Sequence, residues 1–143
     1  MAERNFLHQI DLFTNGDDGY HTYRIPALIT TKKGALLAFC EGRRSISDTG
    51  DIDILLKRSF DNGQTWTDFE VIAEKGGDVV GNPAPVIDRD TGTIWLLLTS
   101  NPAATPEKLI LAGEGEGSRT VWITKSTDDG VTWSPKVEIT ESV

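Results

Sequence analysis

Apolar and polar residues follow one another in short runs that are broken by turn signals. Tyr23–Thr31, Ala35–Glu41, Ile52–Arg58 and Thr67–Ala73 read as strands of the length and β-branched or aromatic character that sheets favour. The order then returns. Pro83–Ile87, Thr93–Thr99, Arg119–Lys125 and Lys136–Thr140 form a second set, after a Gly-rich loop over Glu74–Asn82. A further run, Phe6–Phe13, precedes both sets as a leading strand. No apolar run of helical period lasts ten residues. The one candidate, Glu107–Ala112, is too short to stand alone as a helix. The pattern therefore predicts an all-β chain.

The third and fourth strands of each set are joined by the same octet. Ser59-Phe60-Asp61-Asn62-Gly63-Gln64-Thr65-Trp66 recurs as Ser126-Thr127-Asp128-Asp129-Gly130-Val131-Thr132-Trp133, both of the form S-x-D-x-G-x-T-W. Each fixed position has a task. Asp61 and Asp128 accept hydrogen bonds from backbone N–H groups of the turn. Gly63 and Gly130 supply the positive φ of a tight hairpin. The Ser59, Ser126, Thr65 and Thr132 hydroxyls satisfy further turn groups. Trp66 and Trp133 present a large apolar plate to a neighbour. The octet is a structural clamp, and its aspartates are not read as catalytic.

A four-stranded unit repeated in sequence is the signature of a propeller blade. The chain divides into a leading strand at 6–13, a first blade at 20–74 and a second at 82–141. Two blades do not close a ring, since propellers use about four to eight. The expectation is the front portion of a longer protein. The alternative is a homo-oligomer formed through unpaired blade edges, for example three copies making a six-bladed ring.

Composition removes several function classes. At 143 residues and 38% hydrophobic content the chain has the size and balance of one soluble globular domain. The formal net charge of −8 argues against nucleic acid as a partner. It also requires that any anionic ligand be held by a local basic pocket. The longest apolar runs are too short for a membrane segment. The segment after Met1 has no signal-peptide h-region, and localisation stays open. Cys40, alone and in an apolar run, reads as a small buried hydrophobe. His8 and His21 lack metal-ligand spacing, so no metal site and no cofactor are expected.

In a meandering blade the turns alternate between two faces. The loops after strands two and four therefore share one face, which brings Arg24, Arg43, Arg44, Asp48, Asp51 and Asn82 together. Arg24 opens an apolar strand in Tyr23-Arg24-Ile25-Pro26, a costly place for a cation unless a carboxylate receives it. Its planar fork suits bidentate binding of such a group. Asp48 lies in a loop of interleaved cations and carboxylates and is a candidate general acid. The nearby arginines favour its charged form, so substrate would have to desolvate it.

Arg24-Ile25-Pro26 followed by the repeated Asp boxes resembles the exo-α-sialidases (neuraminidases), from about Tyr20 onward. The resemblance implies a six-bladed propeller that removes terminal sialic acid from glycoconjugates, with sialic acid or a sialylated glycan as partner. By position, Arg24 resembles the first of three arginines that grip the sialic acid carboxylate. Asp48, 24 residues later, resembles the general acid/base. Arg43 resembles a further arginine of the pocket. Asn82 falls near a position where several bacterial members carry an aspartate beside the N-acyl group, and only a pocket role is carried over. The family also uses a tyrosine nucleophile paired with a glutamate, an exception to two-carboxylate glycosidases. The two tyrosines here, Tyr20 and Tyr23, do not match it. The alternative function is a propeller module that binds acidic sugars without cleaving them.

Overall fold

The computed structural model describes residues 9–143. Four strands, β1 (Thr22–Thr30), β2 (Leu36–Arg43), β3 (Ile52–Ser59) and β4 (Glu70–Ala73), pair in sequence order as an antiparallel meander. A second meander follows with β5 (Val79–Ile87), β6 (Ile94–Asn101), β7 (Thr120–Ser126) and β8 (Val137–Glu138). Each has the form of a propeller blade. One parallel pairing, Ile52 with Val79, joins β3 to β5 and stitches the two blades edge to edge.

The core is the layer between the blades. β2 and β3 are buried along nearly their whole length, including the charged Glu41, Arg43 and Asp53. Leu37 and Phe39 from β2, and Ile54 and Leu56 from β3, pack against Ile94, Leu96 and Leu98 from β6. Alternate residues point the other way. Cys40 and Leu55 join Tyr20 in a smaller cluster that Phe13, Tyr23 and Phe69 cover. Burial pushes the Cys40 thiol up to about 12, so this free cysteine is packing material.

Both octets close in the same way. Ser59 Oγ and Ser126 Oγ donate to Asp61 and Asp128 Oδ1 at 2.8 Å, and each accepts the N–H of its glycine, at 2.8 and 2.9 Å. The aspartates also take the threonine N–H and hydroxyl of Thr65 and Thr132. Asn62-Gly63 and Asp129-Gly130 supply two successive positive φ values in each turn. The second clamp has an additional role. Gly130 stands against Leu37 and Leu56, where a Cβ would come within 2.6 Å of Leu37, and Arg58 donates to its carbonyl at 2.7 Å. Trp133 meets Phe39 edge-on at 6.1 Å. The second clamp is thus bolted to the first blade.

Four expectations change. Phe6, Leu7 and His8 of the leading strand lie outside the described residues, and Gln9–Phe13 carries no strand. Its backbone meets a side chain rather than a neighbouring strand: Lys57 Nζ donates to the Leu12 carbonyl at 2.6 Å, and Phe13 stacks on Tyr23. Val79–Asn82, expected as loop, begins β5, because Val79 and Val80 find partners in Asn101 and Ser100. β4 is shorter than expected at its start, and β8 at both ends. Glu107–Ala112 does form a helix, α1, which Gly113 ends in the left-handed conformation and Arg119 holds through Glu107.

Hydrogen bonds from Thr65 and Thr132 hold the Asp61 and Asp128 carboxyls down at about 2. An unfolded aspartate titrates near about 3.9. The clamps therefore contribute stability that is complete above about pH 4 and is lost as pH falls toward about 2. Chemical denaturation at pH 7 and pH 3 should show a smaller acid-induced loss in the Asp61→Asn Asp128→Asn double variant than in the parent chain. An equal loss in both would show that the clamps are not acid-sensitive.

Candidate active site

The loops that leave β2, β4 and β6 meet at one end of the joint between the blades. Gly50 N–H donates to the Ala103 carbonyl at 2.9 Å, and Ala103 N–H donates to Asp78 Oδ1 at 3.0 Å. They enclose a cavity of about 190 Å³. Its walls include Glu41, Arg43 and Asp48 from the first blade, and Asn82, Glu107 and Arg119 from the second.

Two arginines converge on one carboxylate oxygen. Asp48 Oδ1 accepts from Arg43 Nη1 at 2.5 Å and from Arg24 Nη1 at 3.3 Å. The hydrogen bond from Arg43 holds the Asp48 carboxyl below the usual aspartate range, and the charges of Arg43 and Arg24 add to this. The two arginines are held differently. Arg43 is 5% exposed and its Nε and Nη2 both donate to Glu41 Oε2, while Nη1 also reaches the Ser47 carbonyl at 3.2 Å. Burial acts to lower the Arg43 pKa, but the bonds to Asp48 and Glu41 outweigh it and keep it raised. Arg24 is 47% exposed and Asp48 63%. An exposed pair of this kind is worth about 0–1 kcal/mol. Removing one partner of a buried pair costs about 3–5 kcal/mol. Arg43 is therefore a fixed part of the wall, and Arg24 is an arm that a ligand can take from Asp48.

The backbone beside this cluster is strained. β1 and β5 both bulge just before a proline, in Arg24-Ile25-Pro26 and Gly81-Asn82-Pro83. Ile25 and Asn82 take φ values of 53° and 55° there. For a β-branched residue such as Ile25 this conformation costs about 1–3 kcal/mol, and such strain gathers at functional sites. The bulges carry both residues into the wall of the cavity. Asn82 Nδ2 donates to Thr99 Oγ1 at 2.8 Å.

Three of the residues expected at the site, Arg43, Asp48 and Asn82, line this cavity, while Arg24 reaches it through Asp48 and itself lines a neighbouring cleft with Phe13 and Tyr23. Arg44 and Asp51 do not join them. Arg44 lies over the Tyr20 ring at 4.3 Å and pairs with Asp51 and Asp53. Asp53 is buried, accepts the Tyr20 hydroxyl at 2.7 Å and has its pKa raised by burial. Sequence reasoning missed Glu41. A carboxylate inside the apolar run of β2 was the available signal, by the logic already applied to Arg24 in β1.

This chain belongs to the BNR repeat-like domain family, whose description matches residues 34–143. It is similar to the exo-alpha-sialidase of Aspergillus fumigatus, at 39% identity over 87% of this chain and 35% of that protein. It is similar to Sialidase-2 of Mus musculus at 37% identity, over 99% of this chain and 38% of that one. Among solved structures, a Hadza microbial sialidase superposes with a TM-score of 0.73 at 31% identity, over 88% of this chain and 27% of its own. The fold is that of a sialidase-type β-propeller whose sheet is not closed. The chain spans about a third of the length of the curated relatives it matches.

The unequal tethering of the two arginines has a direct consequence for stability. Arg43→Ala should destabilise the chain by about 3–5 kcal/mol, because Glu41 is left buried without its partner. Arg24→Ala should change stability by less than about 1 kcal/mol. Urea unfolding of both variants checks this, and equal losses would contradict the assignment of Arg43 as fixed and Arg24 as free.

Proposed function

We propose that this chain forms the carboxylate-binding and acid-bearing part of an exo-α-sialidase, which removes terminal sialic acid from glycoconjugates by retaining hydrolysis. The observation that carries this reading is the shared Asp48 oxygen, held firmly by Arg43 and lightly by Arg24. The names of the relatives support the same reading. Within it, β1–β4 and β5–β8 are the first two blades, the second opening at Val79, and the Asp-box residues only build the frame.

The sugar carboxylate takes the fork of Arg24, a charge-assisted bidentate contact that replaces the single weak bond to Asp48. Asp48 then has one arginine instead of two, and the bound sugar covers its exposed side. Both changes push its carboxyl upward, toward the range in which it can protonate the departing glycosidic oxygen. Arg43 keeps Asp48 in place and shapes the pocket. Asn82, on the opposite wall, lines the pocket.

Both tyrosines of the chain are engaged away from this pocket. Tyr20 donates to Asp53, and Tyr23 donates to the Asp17 carbonyl at 2.8 Å. Burial pushes both pKa values up. Neither is placed as a nucleophile, so we infer that this chain binds the sugar but does not turn it over.

Calorimetric titration with free sialic acid should show binding that Arg24→Ala weakens about tenfold or more, the scale of hydrogen bonds to a charged group. A fluorogenic sialoside should be cleaved no faster with the chain than without it. Binding that ignores Arg24→Ala would overturn the placement of the carboxylate, and robust turnover would overturn the inference about the nucleophile.

A further inference from the structure

Glu41 occupies the junction where the two blades meet behind the pocket. Its side chain is 3% exposed. Oε2 accepts Arg43 Nε–H at 2.8 Å and Nη2–H at 2.5 Å. Oε1 accepts the backbone N–H of Asn82 at 2.8 Å, across the blade boundary. Two features of β5 exist to permit that last bond. Residue 81 is glycine, and a Cβ there would stand 2.6 Å from Oε1. Asn82 adopts its left-handed φ at the bulge, and its amide is the one that reaches the carboxylate. Only a carboxylate offers acceptors on both sides; an amide would turn its NH₂ toward one of the two donor sets.

We propose that Glu41 is the positioning residue of this site: one carboxylate aims Arg43 at Asp48 and ties the Asn82 wall of the second blade to the same arginine. Glu41 does not reach Asp48 itself and acts through Arg43. The acid and the wall opposite it are thereby set as one unit, although they belong to different blades. The inference rests on the reading of Asp48 as the acid. The charged groups around Asp48 are few. Arg43 of β2 and Arg24 of β1 touch it, while Glu107 and Arg119, paired with each other at 3.2 Å, line the pocket from the second blade.

The test is a ¹³C NMR titration of the Asp48 carboxyl in the whole chain, with the Asn82 amide proton followed in parallel. Glu41→Asp keeps the charge but withdraws the carboxylate by one methylene, too far to serve both partners. Its Asp48 midpoint should rise by about one pH unit, toward that of an aspartate without a close arginine. In the Arg43→Ala background the same substitution should add no further rise. A role for Glu41 as a mere negative charge leaves the midpoint where it was, and a midpoint that stays or falls overturns the proposal. A second readout needs no substitution. In the unaltered chain the Asn82 amide proton should move with the Asp48 midpoint, and an Asn82 amide that stays flat through that titration also overturns it. Neither readout uses sugar or turnover, so failure here is distinct from failure of the sialidase reading.

Discussion

The packing of the second blade on β2 and β3 is the contact from which the rest of the structure follows. Each of those strands carries an apolar face, Leu37 and Phe39 on β2 and Ile54 and Leu56 on β3, that cannot remain stable in water. Leu37, Phe39 and Leu56 are covered on one face by Leu96, Leu98 and the second clamp. Gly130 allows the closest approach, Arg58 fixes its carbonyl, and Trp133 closes over Phe39. Once that joint is made, the loops that leave β2, β4 and β6 are delivered to the same end. The pocket is therefore a property of the joint rather than of either blade.

Electrostatics then divides the pocket into a fixed part and a yielding part. Glu41, Arg43 and the Asn82 amide form a buried chain in which every charge has its partner, and disturbing it is expensive. Arg24 and Asp48 are at the solvent side, joined by a bond that water and salt screen. In a chain of net charge −8, a carboxylate ligand needs such a local cation that is not already locked in place. The strained bulges at Ile25 and Asn82 set the two walls of the same opening.

Much of this was legible in the sequence because it is local chemistry. The octets announce their own hydrogen bonds, since Ser, Asp, Gly, Thr and Trp all act within eight residues. The strands beside them follow from apolar runs and turns. Arg24 stood out as a cation in an apolar strand, and Arg43 and Asp48 as a loop pair five residues apart. What was missed depends on distant partners. Glu41 shows its purpose only when Asn82, 41 residues away, is placed beside it. Val79 and Val80 sat behind a Gly-Gly pair and read as loop until β6 supplied their partners. Helix α1 is too short to be expected from its own run, and its pairing through Glu107 with Arg119 shows only in the structure. The likeness of Arg24-Ile25-Pro26 and Gly81-Asn82-Pro83, each with a left-handed residue before its proline on the first strand of a blade, needed the backbone.

The central claim is that Arg24 exchanges Asp48 for the carboxylate of a sugar acid while Arg43 stays where it is. The most direct measurement is a crystal structure of the chain soaked with sialic acid. The account predicts the sugar carboxylate on the Arg24 guanidinium, Asp48 bonded to Arg43 alone, and Glu41 unmoved between Arg43 and Asn82. A sugar bound with Arg24 still paired to Asp48, or one that draws Arg43 off Glu41, would contradict it.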